Sequence, residues 1–531
     1  MKSKLRLAEI ELTALAAAYL TGCGSSSKSG TGGASGSGSG GNDGGTAGTG
    51  AGGKATDAGP DATDGPTDGA SPVDTNGDAL PGPCVVPAGT TPSGTAPLQA
   101  AGPTVASTPT RPQFDQTTAD TNYAISKFLS SGGTVVSTYV TGGQTVTSAD
   151  IPLNDSWDPV TNGIGDVSAF TPMFVVSADG TGTHTTVQAA ITAARLVTTT
   201  TCARIYILVR PGIYRATVTV PNKASAPPIT LYSSDPDASH TVIVFNNAAL
   251  TIPPVAGAAA LGTSGSATFT NSSTSFQAKN LTFSNDYVET GSGNEQAVAL
   301  LNQGDRVQFE NVRVLGNQDT LYLKTVNTGT IARAYLRDSY VEGDTDFIFG
   351  RGTTVFDHVE VHTMGNSKTS GTATGAPSTE LTNPYGFLYI SCKFTADANV
   401  VAGSTFLARQ WWESSRPQAV GKMIVRNSTI GAHINPTMPW QPWAGRTILA
   451  PYPDGGAPGD GGVDAGAQPT QVVSATLYTS ADYYQLIGGG PSTPEPYIGE
   501  YGNTNAAGTD GGTTPTDGGA TDVAADAPSG N

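Results

Sequence analysis

The chain has 531 residues, 68 of them glycine, with 37% apolar and only 13% charged residues and a net charge of −17. That length is sufficient for several domains, but long Gly/Ser/Thr/Ala/Asp stretches at both ends leave ordinary sequence for one large domain, rich in β-formers and poor in helix formers. The acidity is concentrated in residues 24–80, 451–466 and 506–531, which carry −12 of the total, so the core is only mildly acidic. No basic stripe is present, which excludes the phosphate-backbone recognition that nucleic acid requires.

Residues 1–22 read as a signal peptide: Lys2, Lys4 and Arg6, then a short apolar run ending in Leu20-Thr21-Gly22-Cys23. The run is too short to span a membrane, and the small residues before Cys23 fit a lipoprotein-type cleavage site with Cys23 as the lipidated residue. The expected location is therefore secreted or cell-surface, with membrane contact only through an outer-membrane lipid anchor. Residues 23–82 form a low-complexity tether, too poor in large apolar side chains to offset the entropy of ordering. Asp74-Thr75-Asn76-Gly77-Asp78 has the look of a calcium loop but lacks the remaining ligands, and no metal is assigned. Cys84, Cys202 and Cys392 fit no zinc spacing and are expected as buried thiols with at most one disulfide.

The ordinary sequence, 111–505, is expected to be the folded domain, followed by a disordered tail at 506–531. Tyr123, Ile125, Phe128 and Leu129 predict one short amphipathic helix between Arg111 and Gly133. Val187–Ile191 predicts a second. Strands follow at Ile205–Val209 and near Val218, Ile229 and Val242, with a turn at Pro211-Gly212.

An irregular repeat comes next. Six segments, starting at Phe276, Val307, Ala334, Thr354, Phe387 and Met423, share an apolar, x, apolar, x, x, small or apolar, x, apolar layout. Their fifth residues, Asn280, Asn311, Asp338, His358, Ser391 and Asn427, suit a turn between two short strands. The starts are 31, 27, 20, 33 and 36 residues apart. Variable loops on a recurring rung suit a parallel β-helix better than a β-sandwich, which needs hairpin turn dipeptides that are scarce here.

Asp319 lies twelve residues after Val307, and Asp346 twelve after Ala334. If those rungs stack in register, the two carboxylates stand about 4.8 Å apart on neighbouring strands. Two such groups cannot easily both ionise, so one becomes a proton carrier and the other an anion. Spacing alone does not separate this from two unrelated turn aspartates.

The surrounding segments do. Gln318-Asp319-Thr320-Leu321-Tyr322 and Asp346-Phe347-Ile348-Phe349-Gly350 resemble the two signature motifs of the pectin methylesterase (pectinesterase) family. Gln296-Ala297-Val298-Ala299-Leu300 matches a third segment, and Gly262–Thr268 resembles the substrate-contacting Thr segment around Thr263. Leu407-Ala408-Arg409-Gln410-Trp411 stands where the family usually reads Leu-Gly-Arg-Pro-Trp. The resemblance implies a right-handed parallel β-helix, short helices at its ends, and hydrolysis of galacturonate methyl esters in homogalacturonan by a monomer without a cofactor.

Carried over position by position, the resemblance makes Asp346 the nucleophile and Asp319 the general acid, later base. Gln318, with Gln296 as a second candidate, would stabilise the oxyanion. Arg409 would keep Asp346 ionised and oriented through a charge-assisted bond, the asymmetry that assigns the roles. Trp411, with Tyr322 and Phe349, would offer apolar faces to sugar rings. Ala408 and Gln410 depart from the family pattern and put the loop around Arg409 in doubt. A serine esterase lacks its Gly-x-Ser-x-Gly segment in the core. A lyase would need a calcium-binding acidic cluster. A non-catalytic polysaccharide-binding β-helix, or an esterase of the same fold acting on a non-pectin ester, remains as the alternative.

Overall fold

The computed structural model describes residues 101–441, 443 and 498–506, with breaks at 109–110, 112, 131–137, 142–143, 148–156, 199–202, 292, 329, 381–382, 384, 417–418 and 442. Cys23, Cys84, Cys202, the tether and the tail beyond Ala506 lie outside them; Cys392 is described and is a buried free thiol.

Strand pairing is parallel in an eight-stranded sheet and, apart from the pairing of Ala101–Thr104, in an 18-stranded one. The six repeat segments stack in the expected register, Val307 against Ala334, Ala334 against Thr354, Thr354 against Phe387 and Phe387 against Met423. Each coil therefore repeats the one before it, and the fold is a parallel β-helix.

The fifth residue of every segment is the corner. Asn280, Asn311, Asp338, His358, Ser391 and Asn427 all have φ between 48° and 59°. This left-handed conformation costs most L-residues about 1–2 kcal/mol and is best tolerated by Asn and Asp. The asparagines recover part of that by hydrogen bonding: the Asn311 amide donates to Asn280 Oδ1 at 2.9 Å and to the Pro236 carbonyl at 2.7 Å. The corners bend the large sheet, so strands such as Arg333–Arg337 and Tyr340–Gly343 belong to one coil but face different directions.

Inward residues form ladders. In the small sheet, Phe269, Leu300, Leu321 and Ile348 stack one above another. In the large sheet Phe309, Leu336, Phe356 and Tyr389 do the same, the last two rings stacked 4.3 Å apart and nearly parallel. All are fully buried, and each such side chain contributes about 1.5–3 kcal/mol relative to exposure.

The expected helix at Val187 runs Val187–Ala194, capped by Thr186. The one helix expected between Arg111 and Gly133 is instead two, Gln116–Asn122 and Ile125–Leu129. Arg426 is the cause: its Nη1 donates to the Ala119 and Tyr123 carbonyls at 2.7 and 3.1 Å, ending the first helix, and Ala124 is extended. The described structure also reaches past the 111–505 limits, since Ala101–Thr104 pairs antiparallel with Thr504–Ala506.

Candidate active site

The site lies on the outer face of the small sheet. Leu321 pairs with Ile348, and Tyr322 with Phe349, so Asp319 and Asp346 occupy the same place on successive coils. Both have positive φ, 65° and 48°, which turns their side chains outward just before an inward-facing pair, Thr320-Leu321 and Phe347-Ile348. Their backbone N–H groups donate to the next coil, Asp319 to the Thr345 carbonyl at 3.1 Å and Asp346 to that of Ala373 at 2.7 Å. Gly343 makes the second turn possible: a Cβ there would stand 2.3 Å from Phe347 Cβ and 2.6 Å from the Asn317 carbonyl oxygen.

The two aspartates are chemically unequal. Arg409 grips Asp346 with a fork, Nε at 2.8 and 3.1 Å from the two carboxylate oxygens and Nη2 at 2.5 Å from Oδ2. Both carboxyls are more than nine-tenths buried. Burial, reinforced by the Asp346 charge, pushes the Asp319 carboxyl well above the usual carboxylate range, against the opposing pull of Arg409, the Gln318 side chain and Lys368. Asp319 is thus biased towards its protonated form beside a carboxylate paired with arginine, the inequality an acid and a nucleophile require.

The other expected residues gather around this pair. Gln318 precedes Asp319, and its carbonyl accepts the Ala297 N–H at 3.1 Å, which sets Gln296 and Gln318 on adjacent coils. Thr263 sits in the helical turn Gly262–Gly265, joined to the sheet through Lys324, whose Nζ donates to Ser264 Oγ at 3.2 Å. Tyr322 and Phe349 stack at 4.2 Å and retain only 6% and 3% of their surface. Trp411, 5.9 Å from Phe349, is the half-exposed ring of the three.

A pectinesterase family model matches residues 173–452. Over 362 residues the chain is 42% identical to a pectinesterase of Ralstonia solanacearum, covering 63% of this chain and 85% of that one. The chain belongs to the pectinesterase family. It is accordingly a carboxylic ester hydrolase. Its fold is that of the rice weevil pectin methyl esterase, with a TM-score of 0.52 at 24% identity over 75% of this chain and 98% of that one. Escherichia coli YbhC superposes with a TM-score of 0.53 at 25% identity, over 76% and 97%.

The two departures from the family pattern are accommodated. Ala408 points inward above Gly375, which has room for its methyl. Gln410 is buried and donates its amide to the Val420 and Gly421 carbonyls at 2.7 and 2.8 Å, fixing the loop by bonds that a proline could not make. Trp411 N–H donates to the Pro377 carbonyl at 2.9 Å. Sequence reasoning missed Trp443, whose ring lies 4.5 Å from the Arg409 guanidinium, and the loop residues Glu289 and Lys368. No motif marks them.

Proposed function

We propose that this esterase hydrolyses galacturonate methyl esters of homogalacturonan, giving pectate and methanol, with Asp346 as nucleophile and Asp319 as acid and then base. The observation that carries this reading is the Arg409 fork on Asp346 beside the buried Asp319, whose carboxyl is pushed well above its usual range by burial and the Asp346 charge. An Asp346 oxygen attacks the ester carbonyl and forms a tetrahedral oxyanion, to which the amides of Gln318 and Gln296 would donate, a role worth about 3 kcal/mol per donor. As the intermediate collapses, the C–O bond to methoxide breaks and Asp319 delivers its proton, releasing methanol and leaving a mixed anhydride on Asp346. Asp319, now a carboxylate, takes a proton from water; the hydroxide attacks the anhydride, and the free galacturonate and Asp346 are restored. Trp411, backed by Phe349 and Tyr322, offers the ring face, and Thr263 in the Gly262–Gly265 turn is a further candidate contact.

The N-terminal segment ending in Leu20-Thr21-Gly22-Cys23 supports a separate reading, that the protein is a cell-surface lipoprotein held through Cys23 and acting as a monomer. Incorporation of labelled fatty acid, lost in Cys23→Ser, tests the anchor. The enzymatic reading is tested by methanol release from highly methylated homogalacturonan by the parent, Asp346→Ala and Asp319→Ala. Release by the parent that both variants lose is expected. A folded parent that releases none would overturn the substrate and move attention to another ester or to carbohydrate binding.

A further inference from the structure

Behind Gln318 runs a chain of polar contacts that the reaction just described leaves unused. Glu289, in the loop after the strand Gln277–Asn285, accepts the Gln318 backbone N–H on Oε1 at 3.1 Å. Its Oε2 stands 2.5 Å from Ser367 Oγ, and the same hydroxyl reaches Asp344 Oδ2. Asp344 is fully buried, two residues before Asp346. Lys368, next to Ser367, lies 4.0 Å from Asp344 Oδ1 and donates to Thr345 Oγ1 at 2.9 Å.

A serine hydroxyl has one hydrogen and an ionised carboxylate has none to give. Ser367 therefore cannot satisfy both neighbours unless one of them supplies a proton. Resting on the assignment of Gln318 and the two aspartates above, we infer that Glu289 is held as a neutral acid and is a positioning residue for Gln318. Its Oε2–H donates to Ser367 Oγ, the Ser367 hydrogen goes to Asp344 Oδ2, and its Oε1 receives the Gln318 N–H. Every hydrogen in the chain then has a taker.

The surroundings favour the proton on Glu289. Lys368, the cation of the group, stands at the Asp344 end. The hollow of about 470 Å³ beside Glu289 is lined by Asp286, Tyr287 and Glu342, none of them a counter-charge for a carboxylate. Burial pushes the Glu289 carboxyl above its ordinary range and Asp344 adds to the effect, against the Ser367 and Gln318 hydrogen bonds and the Lys368 charge. The neutral form has a function. It fixes the Gln318 backbone without placing another negative charge next to the residue that would stabilise the developing oxyanion, where like charge would raise the barrier.

The test uses the full chain in two arms. With [δ-¹³C]glutamate labelling, the resonance lost in Glu289→Gln is expected at a protonated-carboxyl position at pH 6; a carboxylate position there overturns the inference. In methanol release, Glu289→Gln, which keeps both the acceptor and the donor, is expected to hold kcat within about twofold of the parent. Glu289→Ala is expected to lower kcat by roughly tenfold or more with KM unchanged, because Gln318 loses its register. An alanine variant as active as the parent, or a glutamine variant as impaired as the alanine, overturns it. If the parent releases no methanol, the proposed activity fails while the NMR arm still decides the protonation of Glu289.

Discussion

Arg409→Lys separates the geometry of the fork from its charge. Arginine gives Asp346 two charge-assisted contacts, through Nε and Nη2, while its planar face lies 4.5 Å from the Trp443 ring. Lysine keeps the charge but offers one point donor on a flexible stem. A hydrogen bond to a charged group contributes about 1.5–3 kcal/mol net, and the stacking about 0.5–2 kcal/mol. The Arg409 side chain is 30% exposed, so solvent replaces part of this and the lower half of the range applies. A loss of about 2–3 kcal/mol corresponds to roughly 30- to 150-fold in kcat. KM should change by less than about threefold, because the lost bonds orient a reacting oxygen and do not hold sugar. The assay is initial-rate methanol release across substrate concentration. A lysine variant within threefold of the parent kcat, or one impaired through KM alone, would refute the claim that the fork aims Asp346.

Replacing Arg409 with Gln removes a charge that holds Asp319 down, so Asp319 keeps its proton to higher pH; the alkaline limb of the kcat/KM profile should move upward while the rate falls. Asp319 also has a stability signature. Its folded-state pKa lies above the unfolded value, so its contribution is fully present below about pH 3.9 and is lost as pH rises through the folded pKa. Asp319→Asn should therefore melt with the parent near pH 4 and increasingly above it towards pH 8; equal melting across that range would contradict the raised pKa. Trp443→Ala should lower kcat about three- to tenfold by freeing the guanidinium, with little change in melting temperature. At a structural corner, Asn311→Ala should destabilise by about 1–3 kcal/mol and Asn311→Gly by less, since glycine restores the backbone but not the hydrogen bonds; thermal melts of the pair separate the two losses.

The register of the coils was legible because a β-helix writes its inward ladders into every rung. Phe309, Leu336 and Phe356 stand at the same offset in three segments and stack as that offset implies. The equal offset of Asp319 and Asp346 along two rungs that pair was legible for the same reason, but it was the family-like segments around them that set the pair apart from ordinary turn aspartates. The break at Tyr123-Ala124 was not, because local apolar periodicity runs straight through it and the group that ends the helix, Arg426, comes from three hundred residues away in sequence. Trp443, Glu289 and Ser367 were hidden likewise. They sit in connections of variable length that the repeat does not constrain, and they meet Arg409 and Gln318 only after the coils have stacked.

One backbone device serves both structure and catalysis. Asn280, Asn311 and Asp338 turn a coil at positive φ, and Asp319 and Asp346 turn it at positive φ as well. In sequence, Asp338 and Asp346 are both small acidic residues at a corner. Their neighbours separate them: Asp338 is met by Arg337 from its own strand at 3.0 Å, a contact that steadies the corner. Asp346 is met by Arg409 from two coils further on and has a second carboxyl, its pKa pushed well up by burial, on the coil before it. A left-handed aspartate is an affordable corner anywhere in this fold. It becomes a nucleophile where stacking sets a buried acid on one side of it and a guanidinium on the other, and that juxtaposition belongs to the register of four successive coils.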